Sequence, residues 1–137
     1  MREILFRGKR DGFGEWVQGN LTQYMDLCGE THCYITPQDD GIATWEVDPE
    51  TVGQFTGLCD KNGKRVFEGD ICRFREWNNG YMCWVGAVHY EYQQFVISGG
   101  KNRECETPFY LAMSRFLPEN IEVIGTAHDN PELLKGE

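Results

Sequence analysis

The sequence predicts a mainly β fold in a single domain. Apolar and polar residues alternate with a period of two along much of the chain, which is the pattern of half-buried strands. The 16 glycines fall largely at turn positions between these runs. A chain of 137 residues is long enough to bury one core, and its 18 aromatic residues (4 Trp, 6 Tyr and 8 Phe) can fill that core.

The N-terminal part of the chain shows strand character in four short runs. These runs are residues 4–7, 16–24, 32–36 and 44–47, and a Gly- and Asp-rich turn at 8–14 separates the first two. Residues 39–50 carry five acidic residues around one aromatic residue, Trp45. The simplest interpretation of this acidic segment is a solvated loop or edge. A cation site among its carboxylates is the alternative, although the segment lacks the regular oxygen-ligand spacing of a calcium loop.

Two hairpins are predicted in the middle of the chain. A tight turn at residues 60–63 (Asp-Lys-Asn-Gly) joins Leu58 to Val66, because Asp bonds locally and Asn-Gly tolerates positive φ. The strongest hairpin signal is Asn-Asn-Gly at residues 78–80. The flanking strands are predicted at residues 52–56, 70–77, 81–92 and 95–98.

The C-terminal part is predicted to hold one strand and at most one short helix. Thr107 and Pro108 suit the start of a short helix, since Thr caps backbone N–H groups and Pro fits the first helical position. Pro118 would end this helix. A strand at residues 121–126 follows, and the tail at 127–137 is expected to dock through Leu133 and Leu134, the apolar side chains near its end.

Charge and hydropathy restrict the class of partners. The 22 acidic residues against 13 basic ones give a formal net charge of −9, which disfavours binding to nucleic-acid phosphates unless the bases converge on one face. The first ten residues lack the apolar stretch of a secretory signal, and no run of 18 apolar residues occurs. We therefore expect a cytoplasmic protein without a membrane partner. A nucleic-acid site would require convergence of five bases: Arg65, Arg73, Arg75, Arg103 and Arg115.

The six cysteines allow a disulfide framework, a zinc site or free thiols. The expected reducing compartment argues against disulfides. Structural zinc sites use two closely spaced ligand pairs, and only Cys28 and Cys33, with His32 beside Cys33, approach that spacing. We predict free thiols that pack as small apolar groups, and metal binding by Cys28, His32 and Cys33 stays open. The remaining cysteines are widely spaced single residues: Cys59, Cys72, Cys83 and Cys105.

The sequence contains no motif of a catalytic or cofactor-binding site. Both common Gly-rich phosphate loops are missing, and no elbow motif surrounds Ser98 or Ser114. His89 falls in an alternating run and is predicted on the open face of a strand. Glu68 and Asp70 are interpreted as turn residues whose carboxylates accept backbone N–H groups. We therefore predict no catalytic, cofactor-binding or metal-binding residues, no cofactor and no enzymatic activity.

Three ordered segments resemble the YopX family of phage and prophage proteins. The longest is VGQFTGLCDKNGKRVFEGDI at residues 52–71. ILFRGKR at residues 4–10, with GEWV at 14–17, resembles the opening of the family. IEVIG at residues 121–125, with DNPELL at 129–134, resembles its closing segment. Because these segments bracket nearly the whole chain, it is identified as a member of this family.

The resemblance implies one family unit over residues 1–137, with an SH3-like small barrel and a C-terminal tail at residues 57–137 and an N-terminal β extension at 1–56. It implies a phage or prophage origin and self-association. It implies no activity, because the family is uncharacterised, and so it transfers no catalytic or binding residues.

These observations lead to one leading hypothesis and two alternatives. The leading hypothesis is a non-enzymatic phage or prophage accessory protein that acts through protein contacts as a homo-oligomer in the bacterial cytoplasm, with a host or phage protein as a further partner. The first alternative is a nucleic-acid-associated SH3-like module. The second is an acidic protein that imitates DNA and binds a host protein.

Overall fold

The computed structural model describes residues 4–10, 12, 14–38, 43–77, 81–91, 94–99, 109–112 and 118–134. Eleven strands lie in these ranges, and the described residues contain no α-helix. The mainly β prediction is therefore confirmed. The strands are β1 (Phe6–Lys9), β2 (Trp16–Met25), β3 (Thr31–Thr36), β4 (Trp45–Val47), β5 (Gly53–Cys59), β6 (Arg65–Phe67), β7 (Asp70–Trp77), β8 (Tyr81–Glu91), β9 (Gln94–Gly99), β10 (Phe109–Ala112) and β11 (Ile121–Thr126). Short 3-10 turns occur at Pro49–Thr51, Pro118–Asn120 and Pro131–Leu134.

The strands form two antiparallel sheets. One has the order β4-β3-β2-β1-β5-β6, and the other has the order β10-β9-β8-β7-β11. The chain divides into two compact units, Met1–Gly57 and Leu58–Glu137, and the division falls inside β5. No strand pairing among the described residues closes either sheet into a barrel. The SH3-like barrel and its C-terminal place therefore stay predictions.

The first unit packs one face of its sheet around a small core. Alternation along β3 turns Cys33 and Ile35 toward this core and leaves His32 and Tyr34 on the other face. The buried core residues Cys33, Ile35 and Val47 are packed against partly buried hydrophobic residues, namely Phe6, Val17, Leu21 and Val52.

Close approach between strands explains a glycine in this unit. Gly19 lies on β2, and a Cβ built there would overlap the carbonyl oxygen of Thr36. The neighbouring Asn20 is paired with Thr36 across β2 and β3. A side chain at position 19 would therefore push the strands apart.

The second unit has its own core. Val66, Cys72 and Val88 are almost completely buried. They pack with Phe95, Ile97 and Ile121, and with the partly buried Leu58 and Val123. This core draws on β5 to β9 and on β11, so that strands far apart in sequence are joined by burial of apolar surface.

The structure corrects one predicted element. The segment that begins the predicted helix is strand β10, because Phe109–Ala112 pairs with β9 from Phe109↔Gly99 to Ala112↔Val96. Phe109 and Leu111 are two residues apart, which is the strand period. Thr107, Pro108 and residues 113–117 lie outside the described residues.

The predicted hairpins agree with the observed pairings. β7 pairs with β8 from Ile71↔Ala87 to Trp77↔Tyr81, while residues 78–80 lie outside the described ranges. Residues 60–64 turn the chain between β5 and β6. No helix in the described part of the chain is long and apolar enough to cross a membrane.

Candidate functional site

The turn between β2 and β3 is organised by Asp26. Its backbone N–H donates to the carbonyl of Glu30 at 2.9 Å, and Gly29 N–H donates to the carbonyl of Asp26 at 3.1 Å. Carboxylate oxygen Oδ1 of Asp26 accepts from the N–H groups of Cys28 and Glu30, each at 2.9 Å. Gly29 has a φ of 86°, which other residues adopt only with strain. The local sequence therefore holds this turn in one conformation.

Exposed apolar and aromatic side chains surround this turn. Tyr24 is 50% exposed, Met25 is 68% exposed and Leu27 is 107% exposed. They are three of the five exposed large hydrophobic side chains among the described residues. We call Tyr24, Met25, Asp26, Leu27 and Glu30 the hairpin tip. Exposed apolar groups that lie close together mark interaction sites, whereas single ones are ordinary.

His32 lies between two carboxylates on the face of the sheet away from the core. Its Nε2 is 2.8 Å from Asp26 Oδ2, and its Nδ1 is 3.3 Å from Glu46 Oε2. The register places Tyr24 opposite His32 and Tyr34 opposite Glu46, so the turn, β3 and β4 are linked here. The Tyr24 ring stacks on the imidazole with centroids 5.1 Å apart.

These contacts change the ionisation of the cluster. The hydrogen bond with His32, followed by the N–H of Glu30, lowers the pKa of Asp26. The hydrogen bonds with Asp26 and then Glu46 raise the pKa of His32, which favours the imidazolium form. The hydrogen bond between the hydroxyls of Tyr24 and Tyr34, 3.4 Å apart, is the main cause that raises the pKa of Tyr34 to about 12.

The residues that could hold a cation differ from the set left open by the sequence. Ligand atoms of Asp26, Glu30 and His32 lie within 4.8 Å of one another. Cys28, His32 and Cys33 are not brought together, because Cys33 points into the core and His32 lies on the opposite face of β3. Both ring nitrogens of His32 already contact carboxylates, so the imidazole is engaged as a hydrogen-bonding partner of Asp26 and Glu46.

The described cysteines are free thiols. Cys33 and Cys72 are buried and Cys59 is half-buried, in agreement with the prediction of thiols that pack as small apolar groups. The prediction is wrong for Cys28, which is exposed because it lies in the turn at the end of the β2–β3 hairpin. The side chains of two further cysteines lie outside the described residues: Cys83 and Cys105.

A second turn, between β5 and β6, repeats the bonding of the first. Asp60 N–H donates to the carbonyl of Lys64 at 2.8 Å, and Gly63 N–H donates to the carbonyl of Asp60 at 2.9 Å. Asp60 Oδ1 accepts from Asn62 and Lys64 N–H, each at 2.9 Å. Gly63 has a φ of 80°. The turns differ at Oδ2, which in Asp60 accepts from Val123 N–H on β11 at 2.9 Å.

Basic side chains surround this second turn. Lys64 and Arg65 are exposed, and Lys61 and Arg73 both contact Glu122, at 3.5 Å and 3.6 Å. We call Lys61, Lys64, Arg65 and Arg73 the basic turn. Two of the five bases required for a nucleic-acid site, Arg65 and Arg73, belong to it. The Arg75 side chain and residues 103 and 115 lie outside the described residues.

Charge is distributed unevenly along the chain. Residues 11–60 contain no Lys or Arg, although they contain ten acidic residues: Asp11, Glu15, Asp26, Glu30, Asp39, Asp40, Glu46, Asp48, Glu50 and Asp60. The hairpin tip therefore lies in a base-free part of the sequence. This signal is visible in the sequence and could have directed attention to the tip.

Two other candidate site residues, Asp70 and His89, lie at the end of a turn and on a strand, respectively. Asp70 is fully buried, and its Oδ2 accepts from Phe67 N–H at 2.8 Å, which confirms the predicted turn carboxylate. His89 is half-buried on β8, next to the buried Val88. The side chain of Ser98 and the whole of Ser114 lie outside the described residues.

Together these features define a mainly β protein of two antiparallel sheets with two matched hairpin turns. The sequence model described as YopX protein matches residues 5–135, and the chain belongs to the YopX family. No match was found among curated proteins. The chain is also similar to a solved structure, the crystal structure of protein EF1440 from Enterococcus faecalis, with 23% identity and a TM-score of 0.55. That similarity covers 98% of this chain and 99% of the other, and it supports the fold.

Proposed function

We propose that the chain is a non-enzymatic accessory protein of a phage or prophage, and that it acts in the bacterial cytoplasm through protein contacts as a homo-oligomer. The observation that carries this proposal is the concentration of exposed apolar side chains at the hairpin tip. Membership of the YopX family supports two further parts of the proposal, the phage or prophage origin and an SH3-like barrel within residues 57–137.

The hairpin tip has the properties of a protein-contact surface. Complete burial of a Met or Leu side chain contributes about 1.5–3 kcal/mol, so a partner that covered Met25 and Leu27 would gain a large share of the free energy of a micromolar contact. The turn is already held by the Asp26 carboxylate and by Gly29. A pre-ordered tip loses less conformational entropy on binding than a flexible loop does.

The non-enzymatic part of the proposal rests on what the reactive groups do. The pKa values of the Asp26 and Asp60 carboxyl groups are lowered, and the oxygens of both accept backbone N–H groups in the two turns. The imidazole of His32 is occupied by two carboxylates. These groups hold turns and strands, and the sequence adds no catalytic motif to them.

The test is the molar mass in solution by light scattering at micromolar concentration. The wild-type chain is expected at a multiple of 15.8 kDa. The double variant Met25→Ser, Leu27→Ser is expected to associate at least about 100-fold more weakly, because it loses about 3 kcal/mol or more of apolar burial.

The matched control is Ile4→Ser, which removes another exposed apolar side chain of the same unit, 65% exposed, and should leave the mass unchanged. A wild-type mass of 15.8 kDa would reject the proposal.

The base-free segment at residues 11–60 favours a second candidate, an acidic surface that occupies the basic groove of a host protein. This candidate predicts capture of a DNA-binding host protein that added DNA displaces. The nucleic-acid-associated module has less support, because two cations of the basic turn, Lys61 and Arg73, are partly neutralised by Glu122. It predicts a gel shift that weakens with salt and with Lys64→Ala, Arg65→Ala.

A further inference from the structure

We propose that the hairpin tip of one copy docks on the basic turn of a second copy, in a head-to-tail contact. This inference rests on the proposed self-association and names the two surfaces that meet. Head-to-tail contacts join different patches of the two subunits, and they produce rings or filaments.

The two surfaces have complementary charge at corresponding positions. Each turn is five residues long, begins with the Asp that accepts two turn N–H groups, and has glycine with positive φ at its fourth position. The fifth position is Glu30 in one turn and Lys64 in the other. The second position is the exposed Leu27 in one and Lys61 in the other.

The cation beside the hairpin tip is the imidazolium of His32, and both of its ring nitrogens contact other carboxylates, those of Asp26 and Glu46. Residues 11–60 contain no Lys or Arg. The described bases that precede them have aromatic or acidic neighbours. Arg7 and Lys9 lie over the ring of Trp16 at 4.6 Å and 5.9 Å, and Arg10 lies over Trp45 at 3.9 Å and contacts Glu15 at 3.4 Å. The carboxylate of Glu30 is therefore available to cations of a partner.

The basic turn has a local surplus of positive charge. Lys61 and Arg73 share the single carboxylate of Glu122. The nearby Asp60 is 3% exposed and its carboxylate accepts three backbone N–H groups, so it balances only part of this positive charge. The exposed Lys64 adds another cation to this group.

Apolar and charged contacts are compatible in this arrangement. The aliphatic stem of a lysine covers apolar surface while its ammonium group stays in water. Leu27 and Met25 can thus pack on the stems of Lys61 and Lys64, while Glu30 pairs with an ammonium group. A tip-to-tip dimer would bring Glu30 and Asp26 of both copies together, and like charges at an interface are unfavourable.

The experiment is a charge swap, followed by light scattering and sedimentation. Glu30→Lys places a lysine at the fifth position of the tip, where it faces Lys64 of the next copy, and Lys64→Glu places a glutamate in the turn, where it faces Glu30. Each variant alone is expected to associate about tenfold or more weakly than the wild type, because like charges now face each other. An equimolar mixture is expected to recover association to within about threefold, since each tip again meets a turn of opposite charge.

The control is Glu132→Lys, which makes the same charge change at an exposed residue outside both turns and should leave association unchanged. If Lys64→Glu associates as the wild type does while Met25→Ser, Leu27→Ser dissociates, the tip binds another surface and the inference is wrong, although self-association stands. If the mixture fails to recover association, the inference is also wrong. If the wild type is monomeric, the proposed function itself fails.

Discussion

In the turn at residues 26–30 and in the turn at residues 60–64, an aspartate accepts the N–H groups of the second and fourth residues after it. In each, a glycine with a φ of 86° or 80° stands third after the aspartate. The side chains between these fixed points differ completely: Leu-Cys and Glu in the first turn, and Lys-Asn and Lys in the second.

This comparison separates what folds a hairpin turn from what the turn presents to other molecules. Asp and Gly determine the backbone conformation, because they supply the local hydrogen bonds and tolerate positive φ. The remaining positions contribute little to that conformation and are free to carry an apolar and acidic surface or a basic one. The second Asp differs in one further respect, since Asp60 also accepts from Val123 on another strand.

The largest expected difference between the turns is in stability. Asp60→Ala leaves three backbone N–H groups without their acceptor, one of them on β11, and should lower the free energy of unfolding by about 3 kcal/mol. Asp26→Ala frees two N–H groups at an exposed tip, where water can replace the carboxylate, so its effect should be much smaller. Urea unfolding measures the free energy of unfolding of both variants. Equal losses would mean that the bond from Val123 to Asp60 adds no stability to the second turn.

The two glycines should respond alike. Gly29→Ala and Gly63→Ala each place a Cβ on a residue with positive φ, which costs about 1–2 kcal/mol. A Cβ at either position meets no atom within 4 Å, so only the backbone strain acts. Thermal unfolding of the two variants should show similar losses. A clearly larger loss at one turn would mean that the backbones are not equivalent in solution.

The smallest expected difference is in the response to pH. Folding raises the pKa of His32. The stability that His32 contributes is therefore fully present below its ordinary pKa of 6.5 and is lost as the pH rises through the raised pKa. Because folding lowers the pKa of Asp26, its contribution is present above its ordinary value of 3.8 and is lost as the pH falls through the lowered value. The pair is therefore strongest between these limits.

The stability that Asp60 contributes is lost only at low pH, because its carboxylate has no histidine partner among the described residues. Burial raises its pKa, but the N–H groups of Val123, Lys64 and Asn62 together lower it below the ordinary value. Hydrogen exchange of the Glu30 and Lys64 amides, corrected for intrinsic rates, should show that protection of Glu30 alone falls as the pH rises through the raised pKa of His32. The variant His32→Gln should remove this dependence. If both amides showed the same pH profile, the titration of His32 would not be what protects the first turn.

Local sequence patterns predict the hairpins in the middle of this chain correctly. They fail where pairing between strands far apart in sequence decides the structure. Asp-Lys-Asn-Gly predicts the turn at residues 60–63, and Asn-Asn-Gly predicts the pairing of β7 with β8, because such residues specify turns on their own. Thr-Pro at residues 107–108 points to a helix by the same reasoning, but pairing with β9 makes Phe109–Ala112 a strand. Tertiary pairing overrides a capping signal there.

The surroundings of the hairpin tip also depend on strand pairing that local sequence patterns do not reveal. The Asp and Gly of the 26–30 turn are visible in the sequence, yet Cys28 and Cys33 suggest a metal pair until the strand alternation places Cys33 in the core. The contact of His32 with Glu46 depends on the register of β3 and β4, which joins residues 14 apart in sequence. No local pattern contains that register.

The decisive measurement is the mass of a chain in which the first turn carries the side chains of the second: Leu27→Lys, Cys28→Asn and Glu30→Lys. We expect an unchanged fold by circular dichroism and urea unfolding, because the Asp and Gly that hold the turn are kept. We also expect a mass of 15.8 kDa in light scattering, with the wild type at a multiple of that value. If the transplanted chain associates as the wild type does, or unfolds, the hairpin tip is not the surface through which the chain associates, or its side chains are needed to hold the turn.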